Sequence, residues 1–368
     1  MKLTAVQEAY LVGREKRGNL GGTACHVYLE FDGAAIDRET LQAAWTEVVQ
    51  HEPAMRLRIL QDATAELSDA PLTDRVLYFD FSQKTPEYAA AETEKIRQHF
   101  SHRKMHTEEG HLCGLMLVHL PDNTAKLIFD LDLLMCDVCG FQVILDRLAQ
   151  AYAARTLTYP QLPYLRDPAE AAGCRYKALT AEISAADFRK IARHCAQENV
   201  TAFSALLTLF GEAVCGMSQQ KAFVLNVPVF HTAERAGTVT DATELLFVPQ
   251  FFDTGADIRT LMRDTQRQIC AMQAGTQTNS KPVGEMPALV FSYVAGVPLV
   301  PPMFESLLGG TSYMISQTPE VAVDCQIFET VHGLRIDWVY PEGVLDETVL
   351  KEQFVHYTNQ ITEVWKDE

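Results

Sequence analysis

Three aspartates crowd the end of one apolar run. Asp130 and Asp132 fall within the segment Lys126 to Leu134, and Asp137 follows where the pattern turns helical. A buried carboxylate without a partner is costly, so such residues either project into a cleft and exchange protons or serve as a helix N-cap and a core ion pair. Metal binding is not indicated, because no His accompanies them at ligand spacing. Cys136 and Cys139 form a C-x-x-C at the start of the same helix, where the dipole favours a thiolate. No second pair exists for zinc, and Leu133, Leu134, Met135 and Val138 around them point to buried, inert thiols. His99, His102, His106 and His111 lie among Arg97, Arg103 and Lys104 in a basic stretch, either a solvated helix end or a receiver of a phosphate-bearing or acidic partner. Ser292 and Asp324 each stand on an apolar strand, where alternation alone gives either a core neighbour or a solvent-facing group. There is no G-x-S-x-G elbow, and Leu20-Gly21-Gly22 lacks the Gly-Lys-Ser/Thr of a phosphate loop, so neither a hydrolase triad nor a P-loop is read here.

The elements that must position these residues follow from hydrophobic period. His26 to Phe31 alternates as a strand, and Asp37 to His51 is a helix with Asp37 at its N-cap. Glu87 to Phe100 is a helix, Leu112 to Leu120 and Lys126 to Leu134 are strands turned at Pro121, and Phe141 to Ala154 is a helix. Three prolines between Thr158 and Ala172 oppose both helix and central strand and place a domain linker there. Beyond it come helices at Asp187–Gln197, Thr201–Cys215, Ile258–Met272 and Glu347–Trp365. The strands of that half are read at Ala222–Val229, Leu245–Phe252, Ala288–Val294, Val321–Thr330 and Arg335–Val339.

Composition excludes several classes. With 368 residues and 47% apolar content the chain can bury substantial cores, and a net charge of −17 disfavours nucleic acid. No run approaches the ~20 apolar residues of a spanning helix, so no membrane role is expected and a cytoplasmic location is the default. Nine cysteines, an odd number without an export signal, suit reduced core thiols.

Strings along nearly the whole chain resemble the heterocyclization branch of nonribosomal peptide synthetase condensation domains. Leu3 to Arg14 is similar to that family's opening motif, with Gln7, Ala9, Tyr10, Gly13 and Arg14 in register. Asp132 to Asp137 resembles its D-x-x-x-x-D, and Thr201 to Ser218, Asp241-Ala242-Thr243, Pro287 to Ser292 and Ser316-Gln317-Thr318-Pro319 before Asp324 echo later motifs in order. The resemblance implies an α+β, two-lobed, chloramphenicol-acetyltransferase-like V-shaped fold with an interlobe tunnel, the N-terminal lobe at 1–160, a linker at 161–175 and the C-terminal lobe at 176–368. It implies joining a carrier-bound acyl donor to carrier-bound Cys, Ser or Thr, then cyclodehydration to a thiazoline or oxazoline. Asp324 takes the place of the catalytic acid/base and Ser292 that of its hydroxyl partner, normally Thr. Asp132 and Asp137 take the paired aspartates, either reacting or shaping the tunnel through ion pairs. Tyr10, Arg14, Thr243, Gln317 and Thr318 are tunnel or structural motif residues.

No bound cofactor or metal is implied; phosphopantetheine comes on donor and acceptor peptidyl carrier proteins acting in trans, since no adenylation or carrier domain is present. The chain departs from the family at Gly140, Ser292, Glu320 and Ala242, where Ser, Thr, Gln and Phe are usual. Two other readings stand beside cyclisation: amide or ester formation without ring closure, or another acyl transfer; and a silent scaffold for carrier proteins.

Overall fold

The computed structural model describes residues 2–15, 21–60, 62–69, 74–171, 173–230, 243–252, 255–274, 279, 288–294, 299–330 and 332–365. The chain divides into two compact units, 1–155 and 156–368.

The first unit begins with α1 (Ala5–Arg14), β1 (His26–Ala34), α2 (Arg38–His51) and two short paired strands, β2 (Leu57–Ile59) and β3 (Ala65–Leu67). It continues through β4 (Leu77–Asp80), α3 (Pro86–Phe100), β5 (Cys113–Leu120), β6 (Thr124–Asp132) and α4 (Val138–Thr156). Its main sheet has the order β1-β6-β5-β4, with β4 and β5 parallel and the other pairs antiparallel. The β5–β6 turn forms because Pro121 fixes its entry while Asp122 and Asn123 accept positive φ, 61° and 57°. Alternation gives the sheet two faces. One carries Leu115, Leu117, Phe129 and Leu131 into a core with Trp45 and Phe141, whose rings meet Phe129 edge-on at 5.9 Å and 5.6 Å. The other carries Met116, Val118 and Ile128 against Ile96 of α3. Asp37 caps α2 by accepting a hydrogen bond from the Thr40 amide, as its position predicts.

The second unit holds β7 (Tyr176–Ser184), α5 (Ala185–Gln197), α6 (Ala202–Ser218), β8 (Ala222–Phe230), β9 (Thr243–Phe251) and α7 (Ile258–Gln273). Then follow β10 (Leu289–Val294), α8 (Pro302–Leu308), β11 (Val323–Thr330), β12 (Gly333–Pro341) and α9 (Glu347–Glu363). The sheet order is β7-β12-β11-β10-β8-β9, with β10 parallel to both neighbours. One face sends Phe291, Cys325, Ile327, Ile336 and Trp338 against the helices, where Trp338 packs at 5.4 Å from Phe210 of α6 and 5.3 Å from Phe354 of α9. Cross-strand register puts Asn226, Ser292, Asp324, Gln326 and Asp337 together on the opposite face.

The structure differs from the sequence reading at several elements and at the boundary between units. Strand β7 was not expected, because Tyr176 to Ser184 is an edge strand with little apolar contrast. The boundary between units falls ahead of the proline-rich segment 161–175. That segment lies with the second unit, where Leu162 is buried, Tyr164 bridges Leu345 and Pro163 accepts the Asp346 amide. Among the described residues no single helix is long and apolar enough to cross a membrane.

Candidate active site

Asp324 enters β11 at its second residue, and its side chain stays on the polar face of the sheet. It is 5% exposed, and burial pushes its carboxyl pKa upward against three hydrogen bonds that pull the other way. The two oxygens are held unequally. Oδ2 accepts from Gln326 Nε2 at 2.8 Å and from Thr318 Oγ1 at 2.9 Å, whereas Oδ1, among the described residues, accepts only from Ser292 Oγ at 3.4 Å. Thr318 reaches the carboxylate because the loop before β11 doubles back through Glu320 at φ 63° and is tied by Tyr176 Oη to the Thr318 carbonyl, 3.3 Å. Gln326 also donates to Ser316 of that loop. The result is a buried acid that holds its proton more readily than an exposed Asp, with one oxygen fixed and one available to a reacting group.

Ser292 is thus brought to Asp324, as the resemblance implies, and Thr318, expected only as a tunnel or structural residue, bonds to the same carboxyl. Gln317, between Ser316 and Thr318, is exposed. Thr243 begins β9 and pairs with Phe230, whereas Asn226, four residues earlier on β8, pairs with the Val290 that faces Asp324. That offset sets Thr243 about 13 Å along the sheet from the Asp324 level. Asp241, Ala242 and Pro287 lie outside the described residues. Sequence reading missed Gln326 and Asn226. The signal was present: Gln326 is two residues beyond Asp324 and so shares its face, while Asn226 interrupts an apolar strand and is buried with Oδ1 unpartnered.

In the first unit the aspartates take structural positions. Asp132 is fully buried, pairs with Arg14 and accepts the Leu134 amide at 3.1 Å. Arg14 also donates to the Met105 carbonyl. At the other end of α1, Gln7 completes a capping box with Thr4 and donates to the Leu134 carbonyl at 2.8 Å. Tyr10 between them is hydrogen-bonded to Cys25, which raises its phenol pKa. The opening motif is therefore a strap across the β6–α4 junction. Asp137 is exposed and accepts the Gly140 amide at 2.8 Å, the bond of a helix start.

Asp130, which the resemblance did not single out, is also fully buried. It pairs with Arg103 and lies 3.8 Å from His26, and its Oδ1 has no hydrogen-bond partner. Gly114 opposite makes room, since a Cβ there would meet Asp130 Oδ1 at 2.3 Å. The basic stretch 97–111 is largely spent on such pairs. Arg97 holds Glu30 and Glu94, and Arg103 holds Asp130, so those two cations are not free for a partner. Cys136 is half-buried with its pKa raised to about 11, which fits an inert thiol, whereas Cys139, expected to be buried with it, is exposed beside the exposed Val138; all nine cysteines are unpaired. Among the described residues no His, Cys, Asp and Glu group could hold a metal ion.

No family model matches the chain. Over 95% of its length it is 28% identical to pyochelin synthetase PchE of Pseudomonas aeruginosa, covering 28% of that protein. Over 98% it is 25% identical to phenyloxazoline synthase MbtB of Mycobacterium tuberculosis, covering 29%. The chain thus spans less than a third of the length of these curated relatives. Its match to the first runs over 408 positions, more than its own 368 residues, so that relative has positions for which this chain has none. Among solved structures, the EpoB cyclization-docking bidomain from Sorangium cellulosum matches with a TM-score of 0.50 at 18% identity, over 100% of this chain and 84% of that one. The nonribosomal peptide synthetase FmoA3 matches at the same TM-score, 0.50, and identity, 18%, over 42% of its chain. The fold is the two-lobed α+β fold of condensation and cyclization domains.

Proposed function

We propose that this chain, whose homologues are cyclization/condensation-type proteins of nonribosomal peptide synthesis, joins an acyl thioester to the amine of a thioester-bound Cys, Ser or Thr and closes the product to a thiazoline or oxazoline. Both substrates arrive on the phosphopantetheine arms of carrier proteins, as donor and acceptor. The observation that carries the reading is the buried Asp324, with Oδ2 fixed by Gln326 and Thr318 and Oδ1 turned to the Ser292 hydroxyl.

In the first step the amine attacks the donor carbonyl, a C–N bond forms, the C–S bond breaks, and the amine proton leaves with the thiol. Holding two tethered reactants in attack geometry supplies most of what this step needs. In the second, the side-chain sulfur or oxygen attacks the new amide carbon and its proton passes to the carbonyl oxygen, which becomes a hydroxyl. The carbonyl oxygen then departs as water while nitrogen loses its proton to give C=N. A neutral Asp324 gives the departing oxygen its proton through Oδ1 and recovers one from nitrogen, so the acid is regenerated. Asp132 and Asp137 act as structural residues in this reading, at the α1 strap and the α4 cap.

A second reading, condensation without ring closure, is favoured by one distance: Ser292 Oγ stands 3.4 Å from Asp324 Oδ1, the outer limit of a hydrogen bond. Intact-mass measurement of an acceptor carrier after incubation with a loaded donor carrier separates the two. We expect the donor acyl mass less one water. Acyl mass without water loss selects simple condensation, and no transfer overturns both.

A further inference from the structure

Gln326 lies outside every motif that carries the family resemblance, yet among the described residues it makes the shortest hydrogen bond to the Asp324 carboxylate, 2.8 Å, and is itself 7% exposed. Its backbone pairs with Ser292 on one side and Asp337 on the other, so its side chain stands on the same face as both. A carboxylate only accepts, so the carboxamide must present its NH2 to Asp324, and the same nitrogen reaches Ser316. The amide thereby links the strand to the returning loop that delivers Thr318.

We propose that Gln326 is a positioning residue of this site: its carboxamide holds Asp324 Oδ2 against the Ser316–Thr318 loop, so that Oδ1 is the oxygen that exchanges a proton with substrate. The proposal rests on the reading of Asp324 as the acid/base. Its geometry implies a defined electrostatic effect, because a donor on an ionised carboxylate favours the ionised form. The shift at Asp324 comes from burial, opposed by Gln326, then Thr318, then Ser292, with no charged group among its causes. The ionisable groups nearby are Asp337 and Arg335 of β12, bonded to each other at 2.8 Å, Cys325 on the opposite face, and Tyr176 and Glu320 at the loop.

The test uses Gln326→Met, similar in size but without the donor. Stability against pH is measured for the intact chain, for Gln326→Met, for Asp324→Asn and for the double variant. The difference between each background with and without Asp324→Asn isolates the titration of Asp324. We expect its midpoint to move up by about one pH unit in Gln326→Met, the loss of one charge-assisted hydrogen bond, which is about tenfold in the protonation constant. With benzoyl- and L-cysteinyl-pantetheine as soluble probes, the pH profile of water loss moves the same way and distance. An unmoved midpoint overturns the proposal. If the midpoint moves while Asp324→Asn still loses water from the condensed product, Gln326 holds Asp324 as described and the acid/base reading is what fails.

Discussion

In the proposed reaction, Asp324 is a single residue that trades stability for reactivity. Its carboxyl pKa is raised in the folded chain, so the folded form binds a proton over a pH range where the unfolded form has released it. Stability from this group is therefore present at acid pH and declines as pH rises from the ordinary Asp value through the folded one. Replacing it with Asn, which keeps the shape and cannot ionise, should raise Tm at pH 7 by about 3 °C while abolishing water loss. The gain should vanish near pH 4, and an equal Tm for the two proteins at every pH would refute the cost. At this scale the sequence was only partly legible. Thr318 could be named only as a motif residue, whereas Ser292 could be placed beside Asp324 by motif. Gln326 and Asn226 could not, because which of two faces an interrupting polar residue takes depends on register, and register is set by neighbouring strands.

At the scale of elements, the aspartates of β6 show how a motif can be structural. Asp130 and Asp132 share one face of the strand, and each is neutralised by an arginine from outside the sheet, Arg103 and Arg14. Breaking such a pair leaves a buried charge without compensation, which is worse than never having had it. Room for the Asp130 pair depends on Gly114. Gly114→Ala would place a Cβ 2.3 Å from Asp130 Oδ1 and 3.2 Å from an Arg103 nitrogen, so we expect a loss of about 3 kcal/mol in denaturant unfolding. Gly33→Ala, on β1 with nothing within 4 Å, is the control and should change stability by less than about 1 kcal/mol. Equal effects would show that the approach at Gly114 is not tight. The strands with strong alternation were readable from sequence, as were helices with a full apolar stripe. β2, β3, β4 and β7 were not, since short or edge strands lack the contrast that period analysis needs.

Across the whole molecule, the two units each back a sheet with helices, by different connectivity: the first covers both faces of its sheet, the second covers one. In the second, the aromatic cluster around Trp338 stabilises one face and leaves the other free for Asp324, Ser292 and Gln326. The order of that sheet has a consequence for how the protein is made. Its first strand in sequence, β7, pairs residues 176–184 with residues 333–341 of β12, the last strand of that sheet in chain order. During translation β7 must wait, its backbone donors and acceptors unmet, while some 150 residues follow it, a number that tracks the slow pairing of distant segments. Nascent chains are therefore most prone to cross-pairing just before β12 emerges. A chain cut after residue 332 should collect in the insoluble fraction, and a soluble product of that length would show that β7 finds another cover.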